Sequence, residues 1–386
     1  MKDFLPYGRQ SLDETDIERV VECLRGDWLT GGPYVGEFEE KIATTVAAPH
    51  ALTVSNGTAA LHLCLLALDL QPEDEVIVPA ISFLASANCV RYVGAKVVFA
   101  DVDPNTGLLD LKKLPECLSE KTRAVVPVHL NGAPVNLKQL KSLLPPATVV
   151  IEDAAHALGA RFEEKPIGSC QYSQAAIFSF HPVKHITTAE GGAISTQDSE
   201  LCQRLMKLRS HGMTRDESEF EEPSPGPWYY EMQELGFNYR LSDIQAALGL
   251  GQIQKLRQFI ERRQALASLY DQRLQVHPWV RPITRVNPPS TSAWHLYPIL
   301  LDYTAAPLSR KELMLELRKE GIGTQVHYLP IPDQPYYRKL GYSTQSLPGT
   351  QSYYAQALSL PLFPAMQDAD VDRVCAALFR LLPQSR

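Results

Sequence analysis

The sequence has no run of apolar residues long enough to cross a bilayer as a helix. Its first residues, MKDFLPYGRQ, also lack the basic and then apolar layout of a secretory signal peptide. These two absences together predict that the protein stays in the cytoplasm.

The sequence also has no excess of positive charge. Its 37 Lys and Arg residues are outnumbered by 44 Asp and Glu residues, so the formal net charge is -7. The chain therefore lacks the global positive field by which many proteins attract nucleic acids. Any anionic ligand has to be bound by local donors, and the candidates are Lys207, Arg209, His211 and Arg240.

Cysteine is scarce and scattered in this chain. There are seven cysteines, an odd number, and no two of them form a CxxC pair. This pattern argues against a disulfide framework and against a zinc site, so we expect buried free thiols. The seven are Cys23, Cys64, Cys89, Cys117, Cys170, Cys202 and Cys375.

Between residues 51 and 200, apolar runs alternate with helical patterns. Nearly continuous apolar strands separated by helices are typical of a mostly parallel sheet with helices on both faces, so we predict an α/β fold. In such sheets, ligands bind at the carboxyl ends of the strands. The predicted strands are ALTVSN, EVIVPA, KVVFADV, RAVVPVHL, TVVIEDA and AAIFSF, and the predicted helices are GTAALHLCLLAL and NLKQLKSLL.

The second half of the chain has a different organisation. Residues 213–234 are acidic, contain three prolines and show no periodicity, which predicts a loop. Residues 241–274 follow with a long helical pattern, whose first turn suits Ser242 and Asp243. We predict an N-terminal arm (residues 1–30), a large domain (31–250) and a small C-terminal α+β domain (251–386) joined by this helix.

The segment Ser55–Ala60 ends a predicted strand and opens a predicted helix. The first N–H groups of a helix have no internal partners and carry partial positive charge, so they bind phosphate well. Gly57 lets a ligand approach the backbone, and Thr58 adds a hydroxyl donor. A capped helix start without any ligand is the alternative.

The segment Ile151–His156 runs from an apolar strand into an acid. At the carboxyl end of a strand, the Asp153 carboxylate can pair with a protonated ring nitrogen of a cofactor. His156 follows three residues later and can contact the same ring. The alternative is that Asp153 caps the next helix.

The segment Phe178–Gly192 places Lys184 between a buried strand and a Glu-Gly-Gly turn. A lysine in such a cleft can lose its proton and attack an aldehyde, and Ser179 can donate to a phosphate. His181 and His185 are four residues apart, but Pro182 disfavours a regular helix across them and no third ligand is suitably spaced. We therefore predict no metal site here.

Taken together, a phosphate-binding turn, an acid for a ring nitrogen and a reactive lysine are what pyridoxal 5'-phosphate (PLP) requires. The chain resembles the DegT/DnrJ/StrS family of sugar aminotransferases over nearly its whole length. The resemblance implies a type I, aspartate-aminotransferase-like PLP fold and a homodimer. It rests on SNGTAALHL, EDAAHALGA, FSFHPVKHITTAEGGA, LGFNYRLSDIQAALGLGQI, QVHYLPI and LSLPLFP, in that order.

The resemblance also implies a role for each residue at a matching position. Lys184 would form the Schiff base with PLP, and Asp153 would pair with the pyridine nitrogen. Asn238 would cross the dimer interface to the phosphate bound by the partner subunit. The other implied contacts are Thr58, Ala59 and Ser179 with the phosphate, Phe83 and His156 with the ring, and His327, Tyr328 and Arg240 with the substrate.

For four of these positions, the residues alone are also consistent with a structural role instead of a binding role. Phe83 could be a core side chain, Asn238 a turn residue, and His327 and Tyr328 ordinary loop residues.

Within the family, FSFHPVKHITTAEGG and QVHYLPI most resemble the aminotransferases of the pseudaminic-acid pathway. This implies a UDP-linked 4-keto-6-deoxy-N-acetylhexosamine as acceptor, a 4-amino sugar as product and L-glutamate as donor. The alternatives are another nucleotide-sugar 4-aminotransferase, a PLP-dependent sugar 3-dehydratase and a non-catalytic PLP-binding regulator. The dehydratases carry histidine where this chain has Lys184, and the intact Lys184 and Asp153 argue against a regulator.

Overall fold

The computed structural model describes residues 4–285 and 289–383. None of the helices in these two ranges is long and apolar enough to span a membrane. The strands are β1 (His50–Val54), β2 (Glu75–Pro79), β3 (Lys96–Ala100), β4 (Thr122–Val125), β5 (Val149–Asp153), β6 (Arg161–Phe162), β7 (Lys165–Pro166), β8 (Ala175–Ser179), β9 (Gly192–Thr196), β10 (Met213–Thr214), β11 (Glu231–Met232), β12 (Val280–Pro282), β13 (Tyr297–Leu301) and β14 (Ala357–Leu360).

The helices fall between these strands and at both ends of the described chain. They are α1 (Glu14–Arg25), α2 (Pro33–Val46), α3 (Gly57–Leu66), α4 (Ala85–Tyr92), α5 (Leu137–Leu143), α6 (Ser199–Leu208), α7 (Asp243–Leu274), α8 (Arg310–Lys319), α9 (Pro335–Lys339), α10 (Pro348–Gln356) and α11 (Asp368–Leu381).

The central sheet has seven strands in the order β1-β9-β8-β5-β4-β2-β3. Strands β8, β5, β4, β2 and β3 are parallel, which confirms the predicted α/β fold. Strand β9 was not predicted, and it runs antiparallel to both of its neighbours, β1 and β8. The sheet is therefore mostly rather than wholly parallel, and β9 is the one strand within the described ranges that pairs with β1.

Both faces of this sheet are covered, as its apolar strands predict. Side chains such as Val76, Ile151 and Ile177 point into one buried cluster, which contains residues of α3 and α4. Their neighbours Ile77 and Val150 point into a second cluster, which contains residues of α2 and α7. Since successive side chains of a strand point to opposite faces, alternate residues build the two cores.

A smaller antiparallel sheet, β12-β13-β14, follows in the C-terminal part of the chain. It shares a third buried cluster with α8, α11 and the second half of α7. The N-terminal arm reaches this part through a parallel bridge between Leu5 and Ile322. The domain boundaries at residues 30 and 250 stay a prediction, because α7 continues through residue 250 as one helix.

Helix α7 begins where the sequence predicts. Ser242 is its N-cap and forms a reciprocal capping box with Gln245. Asp243, in the first turn, is buried and accepts hydrogen bonds from the N–H groups of Gly32 (2.8 Å) and Tyr34 (3.0 Å). The predicted loop at 213–234 is mostly irregular, and its ends pair as the short strands β10 and β11.

Candidate active site

A cavity of about 910 Å³ opens at the carboxyl ends of β5 and β8 and at the start of α3. This is the edge of the sheet where the fold predicts a ligand site. Of the residues proposed from the sequence, the cavity is lined by Thr58, Ala59, Phe83, Asp153, His156, Ser179, Lys184, His327 and Tyr328. Asn238 and Arg240 do not line it.

The start of α3 forms one end of the cavity. Asn56 is the N-cap, and its Oδ1 accepts a hydrogen bond from the N–H of Ala59 at 2.8 Å. Gly57 packs so closely on Ser179 that an added Cβ would lie 3.0 Å from the Ser179 Cβ. The helix is thus capped, and Thr58 in its first turn and Ser179 at the end of β8 both line the cavity. Ala59 also lines the cavity, but its N–H is already bonded to Asn56.

Asp153 forms the floor of the cavity at the end of β5. Its carboxylate is buried, with Oδ2 accepting from the Ser86 hydroxyl at 2.7 Å and Oδ1 accepting from the Ala155 N–H at 3.2 Å. A carboxylate has about four acceptor positions, so two remain for a donor in the cavity. Turns rather than a helix follow Asp153, so its bond to the Ala155 N–H closes a turn and the helix-cap alternative does not apply.

His156 lies beside Asp153 and is held by aromatic neighbours. Its ring centroid is 4.2 Å from that of His295, and its Nε2 lies 3.2 Å from the Tyr328 hydroxyl. Its Nδ1 is buried and has no hydrogen-bond partner among the described residues. Burial lowers the pKa of His156 well below its ordinary value, so the ring is neutral at pH 7.

Lys184 follows β8 and completes the cavity wall. Desolvation by burial lowers the pKa of its amine to about 8, although the nearby Asp153 acts in the opposite direction. The amine is therefore mostly protonated at pH 7, but its unprotonated fraction is far larger than that of a free lysine side chain. Such an amine is a nucleophile for aldehydes and a base for carbon acids.

The lowered pKa of Lys184 predicts the pH dependence of aldehyde capture. In the cofactor-free protein, the rate of reaction with PLP should rise with pH up to about 8 and then level off, because only the neutral amine attacks. A free lysine side chain should instead become more reactive up to about pH 10.4. Stopped-flow absorbance measures both rates. A protein rate that still climbs steeply at pH 10 contradicts this desolvation of Lys184.

The C-terminal part contributes a second wall. His327 Nδ1 lies 2.9 Å from the Ser359 hydroxyl, and its ring packs 5.3 Å from Tyr7 of the N-terminal arm. Burial, with Lys184 nearby, lowers the pKa of His327 to about 3. Phe83 is 56% exposed, and its ring lies 6.1 Å from that of Tyr328. Phe83 is thus a rim residue, not a core side chain.

Asn238 and Arg240 are exposed and flank Tyr239, which does line the cavity. Two cations proposed for binding an anionic ligand are already engaged. The Lys207 amine lies 3.0 Å from Glu219, and Arg209 lies 2.6 Å from Glu39. The other two candidates, His211 and Arg240, are exposed and do not line the cavity. Arg240 is next to Tyr239 in the chain, and it has no ion pair with any described residue.

His181 and His185 do not come together. His181 is exposed at the cavity, whereas His185 is buried with its Nε2 3.2 Å from the carbonyl oxygen of Ala293. Within residues 4–285 and 289–383, no cluster of three or more His, Cys, Asp or Glu side chains could hold a metal ion. The seven cysteines are all free.

The cavity fits PLP in its donors and acceptors. The start of α3 suits the phosphate, and Asp153 keeps acceptor positions for a ring N–H. Lys184 supplies an amine that loses its proton near pH 8, and His156 adds a buried nitrogen that lacks a partner. These four features fit a phosphorylated pyridine aldehyde.

Sequence reasoning missed several cavity residues, because nothing local marks them. Tyr7 arrives from the N-terminal arm, and Ser82 lies at the foot of the Phe83 turn. Glu190, Tyr239 and Gln325 also line the cavity. Their side chains reach it only through tertiary packing.

Comparison with known proteins gives concordant results. Residues 10–379 match the model of the DegT/DnrJ/EryC1/StrS aminotransferase family. The chain is 37% identical to the UDP-4-amino-4-deoxy-L-arabinose–oxoglutarate aminotransferase of Shewanella sediminis, over 98% of both chains. It superposes on Helicobacter pylori PseC, an aminotransferase involved in the biosynthesis of pseudoaminic acid, with a TM-score of 0.89, 31% identity and 98% and 99% coverage. It also superposes on the PLP form of Spr1654 from Streptococcus pneumoniae, with a TM-score of 0.90, 29% identity and 98% coverage of both chains.

Proposed function

Because the chain belongs to the DegT/DnrJ/EryC1/StrS aminotransferase family and is a PLP-dependent sugar aminotransferase, we propose that its acceptor is a UDP-linked 4-keto-6-deoxy-N-acetylhexosamine. The product is the 4-amino sugar, and the donor is L-glutamate. Two relatives support this choice. One is named for a UDP-sugar and for oxoglutarate, the keto acid left by glutamate, and the other for pseudoaminic acid.

The observation that carries the reaction type is the pairing of Lys184 with Asp153 at one cavity. Asp153 ends β5, and Lys184 lies in the turn that follows the neighbouring parallel strand β8, so both residues line the cavity at the same edge of the sheet. Asp153 is fixed from behind by Ser86 and Ala155, while Lys184 has an amine that ionises near pH 8. One group is placed to keep a proton on a ring nitrogen, and the other to move a proton.

We assign the cofactor contacts to the residues that line this cavity. Thr58, Ala59 and Ser179 form the phosphate end, and Asp153 and His156 lie beside the ring. Phe83 closes the rim. Lys184 holds the cofactor covalently in the resting enzyme.

When bound, PLP supplies an electron sink for the negative charge that develops next to the transferred amine. Asp153 would accept the ring N–H and so stabilise the proton on that nitrogen. The Lys184 amine would hold the cofactor and, once displaced by the donor amino acid, would act as the base that takes the proton from the amino acid α-carbon. With the keto sugar, the same amine would act as the acid that supplies the proton gained by C4 of the sugar.

The C-terminal wall suits recognition of the sugar. His327 is neutral, and its Nδ1 is bonded to Ser359, so its ring orientation is fixed. Tyr328 is fixed in turn by His156. Neutral side chains with a fixed orientation can form hydrogen bonds with the hydroxyl and acetamido groups of a sugar. When the substrate lacks such a group, the protein side chain that would bind it stays buried without a partner, which costs affinity.

This predicts a preference between two substrates. With glutamate as donor, kcat/KM for the UDP-linked N-acetylated 4-keto sugar should exceed that for dTDP-4-keto-6-deoxyglucose by about 10²-fold or more, since a site built for hydrogen bonds rejects an analogue lacking them. Mass spectrometry of the products gives both values. A preference for the dTDP sugar would contradict the proposed acceptor and leave the sugar aminotransferase activity intact.

We further propose that the enzyme is a homodimer in which the partner completes each site. A second groove, of about 740 Å³, shares His62, Tyr92 and Tyr239 with the cavity. Tyr92 and Leu235 in this groove are exposed at 56% and 77%. Exposed apolar surface of this kind favours an interface. Asn238 and Arg240 are exposed and do not line the cavity of their own chain. A two-fold partner that covers the groove would bring its own copies of these two residues to the phosphates of the bound ligands.

Mixed dimers provide the test for a shared site. Lys184→Ala and Asn238→Ala proteins should each be inactive alone, but their mixed dimer should regain activity, because one of its two sites combines an intact lysine with an intact partner asparagine. A mixture of Lys184→Ala and Asp153→Asn is the matched control. It should stay inactive, since both residues serve the cavity of their own chain. An active monomer in sedimentation would contradict the dimer.

A further inference from the structure

The Asp153 carboxylate is bonded on its protein side by two serine hydroxyls in series. Ser86 Oγ donates to Asp153 Oδ2 at 2.7 Å, and Ser82 Oγ lies 2.7 Å from Ser86 Oγ. Ser86 is fully buried in the first turn of α4, and Ser82, in the turn before that helix, is 2% exposed and lines the cavity.

The direction of these two hydrogen bonds follows from the number of protons that each serine hydroxyl can donate. A serine hydroxyl has one proton to donate and two acceptor positions. Ser86 gives its proton to Asp153, so in the bond between the serines Ser82 must donate and Ser86 must accept. A hydroxyl that accepts a hydrogen bond becomes a better donor. Ser82 therefore strengthens the bond that Ser86 makes to Asp153.

We propose that Ser86, oriented by Ser82, is a positioning residue that fixes the Asp153 carboxylate for the ring nitrogen of the cofactor. This rests on the proposed role of Asp153. Hydrogen bonds to a carboxylate are among the stronger ones in proteins, and this one holds Oδ2 from the side of α4. The N–H of Ala155 holds Oδ1 at 3.2 Å. With both oxygens fixed from behind, the remaining acceptor positions point to the cavity.

A purely structural role for Ser86 is the competing explanation. Residues at a helix start often use a hydroxyl to cap a backbone N–H, but the recorded bonds of the Ser86 hydroxyl go to Asp153 and Ser82 instead. Helix α4 has no side-chain cap at all, since its N-cap is Leu84. The two serines serve the carboxylate rather than the helix.

The test is a set of double-mutant cycles. Ser86→Ala and Ser82→Ala are made in the wild-type protein and in Asp153→Asn, and PLP affinity of each cofactor-free protein is measured by fluorescence titration. Ser86→Ala should weaken binding about 10-fold, as expected for a hydrogen bond to a charged group, and Ser82→Ala should weaken it less. Both losses should be much smaller in Asp153→Asn, because the amide can still accept from Ser86 but has no charge to offer the ring nitrogen.

Two controls make the outcome decisive. Thermal unfolding of the cofactor-free variants shows whether a loss of affinity reflects a loss of fold. Ser82→Ala leaves the Ser86–Asp153 bond in place, and so it remains informative if Ser86→Ala is unstable. Losses that persist unchanged in Asp153→Asn, or no loss in either serine variant, overturn the positioning role alone. An Asp153→Asn protein with wild-type affinity and turnover overturns the role of Asp153 as well.

Discussion

Replacing Lys184 with alanine should reduce transamination by ~10⁴-fold, the upper end of what a placed general acid–base contributes. No other described lysine lines the cavity, so no second amine can move the proton. The fold should survive, because the recorded hydrogen bond of Lys184 is made by its backbone N–H, to the His181 carbonyl. Single-turnover measurements with glutamate, followed by absorbance of the bound cofactor, give the loss for each half-reaction.

Borohydride reduction of the wild-type enzyme provides the matching chemical test. Peptide mapping should find the reduced cofactor on Lys184 and no adduct in Lys184→Ala. Lys207→Ala is a suitable control, since Lys207 is paired with Glu219 and does not line the cavity. It should keep both the adduct and the activity. An adduct on another lysine in the wild-type enzyme would refute the assignment.

Replacing Asp153 with asparagine should lower kcat by ~10²–10³-fold, a loss typical of removing one group that stabilises charge in a transition state. The amide has nearly the shape of the carboxylate and can still accept from Ser86, so the fold and most of the cofactor binding should remain. A neutral amide does not stabilise a protonated ring nitrogen as a carboxylate does. The kcat of the variant and the absorption spectrum of its bound cofactor test this directly.

The neighbouring acid offers a matched control for Asp153. Glu152 is also buried, but it points to the opposite face of the sheet, where it lies 2.9 Å from His129 Nε2 and accepts from Ser173. Glu152→Gln should therefore lower the free energy of unfolding and have little effect on kcat. Wild-type turnover in Asp153→Asn would exclude the proposed role of that residue.

Much of the fold was readable from the sequence, because the central strands are nearly continuous apolar runs. Asp153 and Lys184 were found for the same reason, since each follows such a run and so reaches the ligand edge of the sheet. Strand β9 was missed because GAIST is short and begins at the second residue of a glycine pair, a pattern typical of turns. Nothing in its local pattern shows that it inserts antiparallel between β1 and β8.

The parts of the site that escaped prediction depend on distant partners. Ser86 and His295 belong to the site because they contact Asp153 and His156, and those partners are far away in sequence. The sequence also could not show which of the four candidate cations already have a partner. Only the structure shows that Lys207 and Arg209 already have carboxylate partners.

The position of β9 also sets the moment at which the site can exist during synthesis of the chain. Strand β1 leads into the proposed phosphate-binding turn, yet among the described strands it pairs in the sheet with β9 alone, where Val54 pairs with Gly192. Until the ribosome has released residues beyond Thr196, β1 has no place in the sheet, and β8 keeps an unpaired edge open to other chains. A nascent or truncated chain that stops before Gly192 therefore has Asp153 and Lys184 but cannot yet hold a phosphate beside them.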